Sequence, residues 1–235
     1  MPRPPRRTVQ AMAYHVLNRR VMRLPIFDNP ADYEAFEHIL ADGLKRPDAL
    51  RLLAFCLMPN HWHLVLWPKP ASNLSTWMQW LTVTHTHRWH QHDHSVGQGP
   101  LYQGRFKSFP IQRDKHLLTA MRYVEANPLR AGLVKRAERW RWGSLWVRLR
   151  ASAQQQAMLS PSPVALPEHW TTVVNRPTPP PELETVRHSV IRSAPLGQKR
   201  WVARVVRALG VEPTQRRPGR PKKRENLVTV ARNAT

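Results

Sequence analysis

Cysteine is almost missing from this chain: 235 residues hold one. Cys56 therefore has no partner for an internal disulfide. It sits within the apolar run 52–57 and reads as a small packed hydrophobe. Long apolar stretches are also lacking. No run approaches the roughly 20 residues needed to cross a bilayer, which argues against a membrane span. The basic residues 1–7 have no apolar core after them, so they do not read as a signal peptide. Together these absences suit a reducing cytoplasm. Acidic side chains are scarce too, 15 Asp and Glu against 37 Lys and Arg, for a formal charge of +22 and a pI near 11.6. An excess of this size does not select a fold, but it points to a polyanionic partner, most simply nucleic acid.

What is present divides unevenly. Residues 1–10 read as a disordered basic arm, and 11–150 as the main domain. The stretch 12–18 alternates weakly, as a first strand does. Asp28-Asn29-Pro30 starts a helix, with Tyr33, Phe36, Leu40 and Leu44 at spacings of three and four. A second helix runs from Leu74 to about Gln91, with Trp77, Trp80 and Leu81 inward. Residues 101–111 alternate loosely as a fourth strand carrying Arg105 and Lys107. Asp114 caps a third helix that runs to about Ala126. The order strand, helix, strand, strand, helix, strand, helix predicts an α+β fold, one antiparallel sheet with helices packed on one face. Ser-Pro and Pro-Pro repeats make 151–182 a linker. Residues 183–235 are a basic helical region and tail, with Trp201, Val202, Val205, Val206 and Leu209 on one helical face.

Two short stretches carry chemistry. In Met58-Pro59-Asn60-His61-Trp62-His63, the turn signal Pro59-Asn60 sits between two apolar runs and predicts an antiparallel hairpin. Strand residues i and i+2 share a face, so His61 and His63 project side by side while Trp62 enters the layer behind. Paired imidazoles on a rigid strand supply two ligands of a divalent metal site. On the third helix, Leu117, Ala120, Met121 and Val124 form the buried stripe. Tyr123 and Asn127 fall together on its flank, and His116 falls on that flank as well. Pro128 disfavours helical geometry at Asn127, which places that residue at a helix break. Glu125 points away from Tyr123, and no nearby carboxylate offers itself as a general base. The run from His85 to His94 follows neither a single helix face nor a strand face, and is not read as a second metal site.

The combination resembles a known family. The Met58–His63 motif, the stretch from Tyr123 through Asn127-Pro128-Leu129-Arg130-Ala131-Gly132 to Val134, and Tyr102-Gln103-Gly104-Arg105-Phe106-Lys107-Ser108 together resemble the single-tyrosine HUH transposases. Among these they most resemble the REP-associated tyrosine transposase branch. The resemblance covers residues 13–147. It implies a ferredoxin-like fold, with bacterial, cytoplasmic and nucleoid-associated location. It implies cleavage and strand transfer of hairpin-bearing single-stranded DNA through a 5′-phosphotyrosine. Tyr123 would be the nucleophile. His61, His63 and Asn127 would hold Mg²⁺ or Mn²⁺, with Asn127 standing where many relatives carry Gln. The protein would act as a monomer or homodimer. Arg19, Arg20, Arg105, Lys107 and Arg113 are the core residues expected near a phosphate path. In the tail, Arg217, Arg220, Lys222 and Lys223 resemble the basic tail of some members. A hairpin-binding protein that keeps the fold without cutting is the alternative. It would need none of Tyr123, His61, His63 and Asn127.

Overall fold

Strand residues alternate between two faces, and here both faces are apolar. Strands β1 (Ala13–Arg19), β2 (Arg51–Met58), β3 (His61–Trp67) and β4 (Lys107–Ile111) form one antiparallel sheet in the order β2-β3-β1-β4. The structure is a computed structural model that describes residues 12–69, 73–93, 95–97 and 99–215. The expected N-terminal arm, and the tail residues Arg217, Arg220, Lys222 and Lys223, lie outside the described residues. Pro59-Asn60 makes the expected tight hairpin, with Met58 pairing His61. Crossover helices α1 (Pro30–Lys45) and α2 (Leu74–His92) join β1 to β2 and β3 to β4. This is the ferredoxin-like arrangement.

Helix α1 begins where the sequence says it should. The Asn29 side chain accepts from the Ala31 and Asp32 amides, and the Asp32 carboxylate accepts back from the Asn29 amide. Such a reciprocal cap satisfies donors that the first turn leaves bare. Tyr33, Phe36, Ile39 and Leu40 from α1 and Leu74, Trp77, Met78 and Leu81 from α2 bury against Val16, Trp62, Leu64 and Leu66. Each large side chain so buried contributes about 1.5–3 kcal/mol. The two helices meet at Gly43, whose carbonyl accepts from Trp77 Nε1 at 2.8 Å. A Cβ there would lie 2.7 Å from the Trp80 ring, so only glycine permits this approach.

The opposite face of the sheet is covered as well, which extends the one-face expectation. Helix α3 (Lys115–Glu125) lays Leu117, Ala120, Met121 and Val124 on Ala13, Cys56, Val65, Phe109 and Ile111. The cause lies in the strands: both alternating sets are apolar, so both need a cover. After α3 come α4 (Asn127–Arg130), α5 (Ser144–Arg150), α6 (Ala153–Gln156), α7 (Trp170–Asn175), α8 (Pro180–Arg192) and α9 (Lys199–Leu209).

The Pro-rich stretch 151–182 is not the expected spacer. Trp170 and Val174 are buried with α3, and Trp170 Nε1 donates to Glu125 Oε2 at 2.6 Å. The Ser160 amide donates to the Leu52 carbonyl at 2.8 Å. Further on, Leu196 exchanges backbone hydrogen bonds with Pro110 and Gln112, extending the β4 edge. Helix α9 buries Val205, Val206 and Leu209, the face its spacing predicts. The fourth strand is shorter than 101–111. Residues before Lys107 form a loop, because Leu101, Tyr102 and Phe106 turn inward. Among the described residues, no helix is long and apolar enough to cross a membrane.

Candidate functional site

The α3 face of the sheet carries the candidate site. His61 and His63 project side by side, with ring centroids 5.0 Å apart, while Trp62 is fully buried in the opposite layer. Arg19 pairs with His61 in register, and Leu17 pairs with both His63 and Lys107. These residues therefore form rows on one face of β3, β1 and β4. His15 lies on the same face of β1, one step further in. Helix α3 brings Tyr123 across from them, its ring centroid 6.2 Å from His63 and 6.1 Å from His15. Tyr123 is half-buried at the edge of the packed stripe.

The helix break falls where Pro128 puts it. Helix α3 ends at Glu125, Ala126 caps it, and α4 begins at Asn127. Tyr123 and Asn127 thus stand on two sides of this break, joined through Arg130. The Asn127 side-chain oxygen accepts from Arg130 Nη2 at 2.5 Å, and its Nδ2 is buried without a partner. The same Arg130 Nη2 donates to the Tyr123 carbonyl at 2.8 Å, and the guanidinium lies 4.1 Å from the centroid of the Tyr123 ring. His116 is not part of the group. Its ring pairs with Asp114 at 2.6 Å, at the start of the helix that Asp114 caps. Glu125 is buried and held by Ser144, Trp170 and Arg148. A carboxylate so engaged is structural, in keeping with its direction away from Tyr123.

Electrostatics keep the imidazoles neutral. Burial, then the charge of Arg130, pushes His15 down to about 3. Burial, then Arg19, pushes His61 down to about 4. Burial holds His63 well below the usual histidine value, helped by its histidine neighbours, Arg130 and Arg19. Neutral imidazole is the form that ligates a metal. Each ring also has one nitrogen engaged: His61 Nδ1 with Asn60 Oδ1 at 2.6 Å, and His63 Nδ1 with His15 Nε2 at 2.8 Å. That leaves Nε2 of each ring as the nitrogen for an outside ligand, the arrangement in which metal-binding histidines are oriented. The Asn127 oxygen has a second lone pair beside the one Arg130 uses. As donor types, two neutral imidazoles and an amide oxygen suit a divalent cation. Among the described residues, no group of three or more His, Cys, Asp or Glu could hold a metal. The third protein ligand of this set would have to be the amide.

The expected basic residues do not all converge. Arg19 stands beside His61, and partial burial followed by Arg23 lowers its pKa. Lys107 lies in the row of His63 and points its ammonium at the Ile191 carbonyl, 3.5 Å away. Arg20 takes the other face: it stacks 4.3 Å from the Trp89 ring and donates to the Pro25 carbonyl. Arg105 is exposed at the mouth of a cleft of about 800 Å³ that Asn18, Gln79 and Thr82 also line. Arg113 lies past Ile111, 5.2 Å from the Trp67 ring, at the end of the sheet away from His61. Reading by sequence missed His15 and Arg130. Arg130 had a local signal, three residues after Asn127; His15 had none, since its meeting with His63 depends on the pairing of β1 with β3.

The fold is thus a ferredoxin-like sheet whose paired imidazoles face a tyrosine on a covering helix. The family described as "Transposase IS200 like" matches residues 8–127, just over half of the chain, and the protein belongs to that family. Eight chains of solved structures match. One is a REP-associated tyrosine transposase bound to a REP hairpin, 19% identical, with a TM-score of 0.52, covering 66% of this chain and 90% of that one. Another is a candidate transposase from Deinococcus radiodurans R1, 17% identical, with a TM-score of 0.37, covering 56% and 92%. Among curated proteins there is no match.

Proposed function

We propose that the protein is a metal-dependent endonuclease and strand transferase for single-stranded DNA that carries repeat hairpins, acting through a 5′-phosphotyrosine at Tyr123. The observation that carries this reading is the Tyr123 ring 6.2 Å from the ring of His63, itself beside His61 on one strand face. Membership of the transposase family supports the reaction class. The hairpin-bound relative supports the substrate class.

His61, His63 and Asn127 would hold Mg²⁺ or Mn²⁺. The bound cation would draw charge from the scissile phosphate, which otherwise repels an anionic nucleophile. Because its ligands are neutral, it would keep its full charge for that task. Tyr123 Oη attacks phosphorus, and the bond from phosphorus to the 3′ oxygen breaks. The phenolic proton ends on the released 3′-OH, and the 5′ phosphate stays on Tyr123. A 3′-OH attacking that phosphotyrosine reverses the step and rejoins DNA without an outside energy source. Arg19 and Lys107, on the same face, would hold flanking phosphates. Arg105 would lie along the path as it passes the loop before β4.

The test uses a labelled single strand containing a stem-loop hairpin. With Mg²⁺ or Mn²⁺, the wild type should form a covalent adduct that survives denaturing electrophoresis. Tyr123→Phe should form none and still bind the hairpin. Binding without any adduct by the wild type would favour the non-catalytic hairpin-binding alternative. An adduct with the Phe variant would remove Tyr123 as nucleophile.

A further inference from the structure

His15 is fully buried, yet it is the one polar side chain on its face of β1 that reaches neither solvent nor an apolar role. Its Nε2 lies 2.8 Å from His63 Nδ1. Its ring packs edge-on against Phe109, with centroids 4.9 Å apart. Its own Nδ1 is buried and has no hydrogen-bond partner. A buried polar nitrogen left bare costs about 1–3 kcal/mol, so a histidine kept only for packing would be replaced at a gain by an apolar residue.

We propose that His15 is a positioning residue. With the cation bound, it accepts a hydrogen bond from His63 Nδ1–H, and so holds His63 with its Nε2 lone pair toward the cation. This inference rests on the metal reading given above. A neutral imidazole carries one ring proton, so only one of the two facing nitrogens can donate. If His15 Nε2 carries the proton, His63 Nδ1 accepts it. His63 then keeps its own proton on Nε2 and has no lone pair for a metal. If His63 Nδ1 carries the proton, Nε2 is bare and ready. The proton of His15 is then forced onto Nδ1, the nitrogen without a partner. The metal-ready form is thus the one that leaves a buried N–H unsatisfied. The cation would favour it, and the empty site would favour its opposite. His61 differs, because the Asn60 amide oxygen is a fixed acceptor for its Nδ1–H and requires no such exchange.

Full-length wild type, His15→Gln and His15→Phe are compared for Mn²⁺ uptake, read from the loss of the free-ion EPR signal, with hairpin binding measured in chelator. Gln offers an acceptor oxygen with no proton to relocate, so its affinity should equal or exceed that of the wild type. Phe fills the space but accepts nothing, and its affinity should fall by about 10- to 100-fold, the usual effect of losing an outer partner of a metal ligand. Hairpin binding should hold in all three. Equal Mn²⁺ uptake by wild type and Phe overturns this inference alone. No uptake by the wild type overturns the metal reading and this inference with it. A second measurement needs no variant: nitrogen NMR of the Mg²⁺-loaded protein should find His63 protonated at Nδ1. Protonation at Nε2 overturns the inference.

Discussion

The guanidinium of Arg130 lies 4.1 Å from the Tyr123 ring centroid while one of its nitrogens donates to both the Tyr123 carbonyl and the Asn127 side-chain oxygen. One side chain therefore fixes Tyr123 and Asn127, the proposed nucleophile and amide ligand, relative to each other across the α3–α4 break. A planar guanidinium does this better than an ammonium, because it lies flat against the ring while one nitrogen at its edge donates to both oxygens. Arg130→Ala should slow adduct formation by about ten- to a hundredfold, the scale of a lost charge-assisted hydrogen bond of about 1.5–3 kcal/mol. Arg130→Lys should recover little of it. Hairpin affinity should change far less than the adduct rate. Single-turnover assays separate the two, and a Lys variant as fast as the wild type would count against this role.

His61 and His63 should be equal in catalysis and unequal in stability. Replacing either by alanine removes a proposed ligand, so both variants should fail to form the adduct, and chelator should silence the wild type. Only His63→Ala leaves the buried His15 Nε2 without its partner. His61 and its partner Asn60 are both partly exposed, so water can reach the Asn60 oxygen that the variant leaves bare. His63→Ala should therefore be less stable than His61→Ala by about 1–3 kcal/mol. Urea unfolding measures that gap, and equal midpoints would contradict it.

The strand and helix periods made half of this site legible in advance. Side chains two apart on a strand share a face, and those four apart on a helix share a flank, so His61, His63, Tyr123 and Asn127 could be read locally. His15 could not, because its meeting with His63 depends on the register Leu17–His63 between strands 48 residues apart. The same holds for the Pro-rich stretch. Trp170 and Val174 are isolated apolar residues without a visible period, and only the gap beside Glu125 gives them a place. Arg20 was misjudged through its neighbour: adjacent strand residues face opposite ways, and only Arg19 shares the face of His61.

Acid should weaken the fold through buried histidines on both sides of the sheet. His85 lies in the α2 layer, where burial lowers it to about 3 from an ordinary 6.5. The Tyr102 hydroxyl accepts from Trp62 Nε1 and also hydrogen-bonds His85 Nδ1 at 2.6 Å. Below about 6.5 the unfolded chain takes up a proton that the native ring refuses. Stability from His85 is thus complete above that pH and falls as pH drops toward 3, by about 1.4 kcal/mol per unit. His15 adds a fall of the same sign. His85→Asn, which keeps a hydrogen-bonding group for Tyr102, should make the slope between pH 6 and 5 shallower by about that amount. Urea midpoints at the two pH values measure it, and an unchanged slope would contradict the assignment.

The tail beyond the last described helical turn should contribute affinity and not chemistry. Arg216, Arg217, Arg220, Lys222, Lys223 and Arg224 crowd together with no apolar pattern beside them. Each contact such a side chain makes with a phosphate releases counterions, and steepens the fall of log affinity with log salt by roughly 0.7 for a single strand. Deleting residues 216–235 should flatten that slope and weaken hairpin binding at low salt, where phosphate contacts count most. None of Tyr123, His61, His63 and Asn127 lies in the deleted segment, so the rate at saturating hairpin should be unchanged. A tail that instead occupied the DNA path would restrain the enzyme, and its removal would raise that rate. Single-turnover adduct formation by full-length and truncated protein, both at saturating hairpin, decides between them: equal rates fit a tail that only binds, and a faster truncated protein contradicts it.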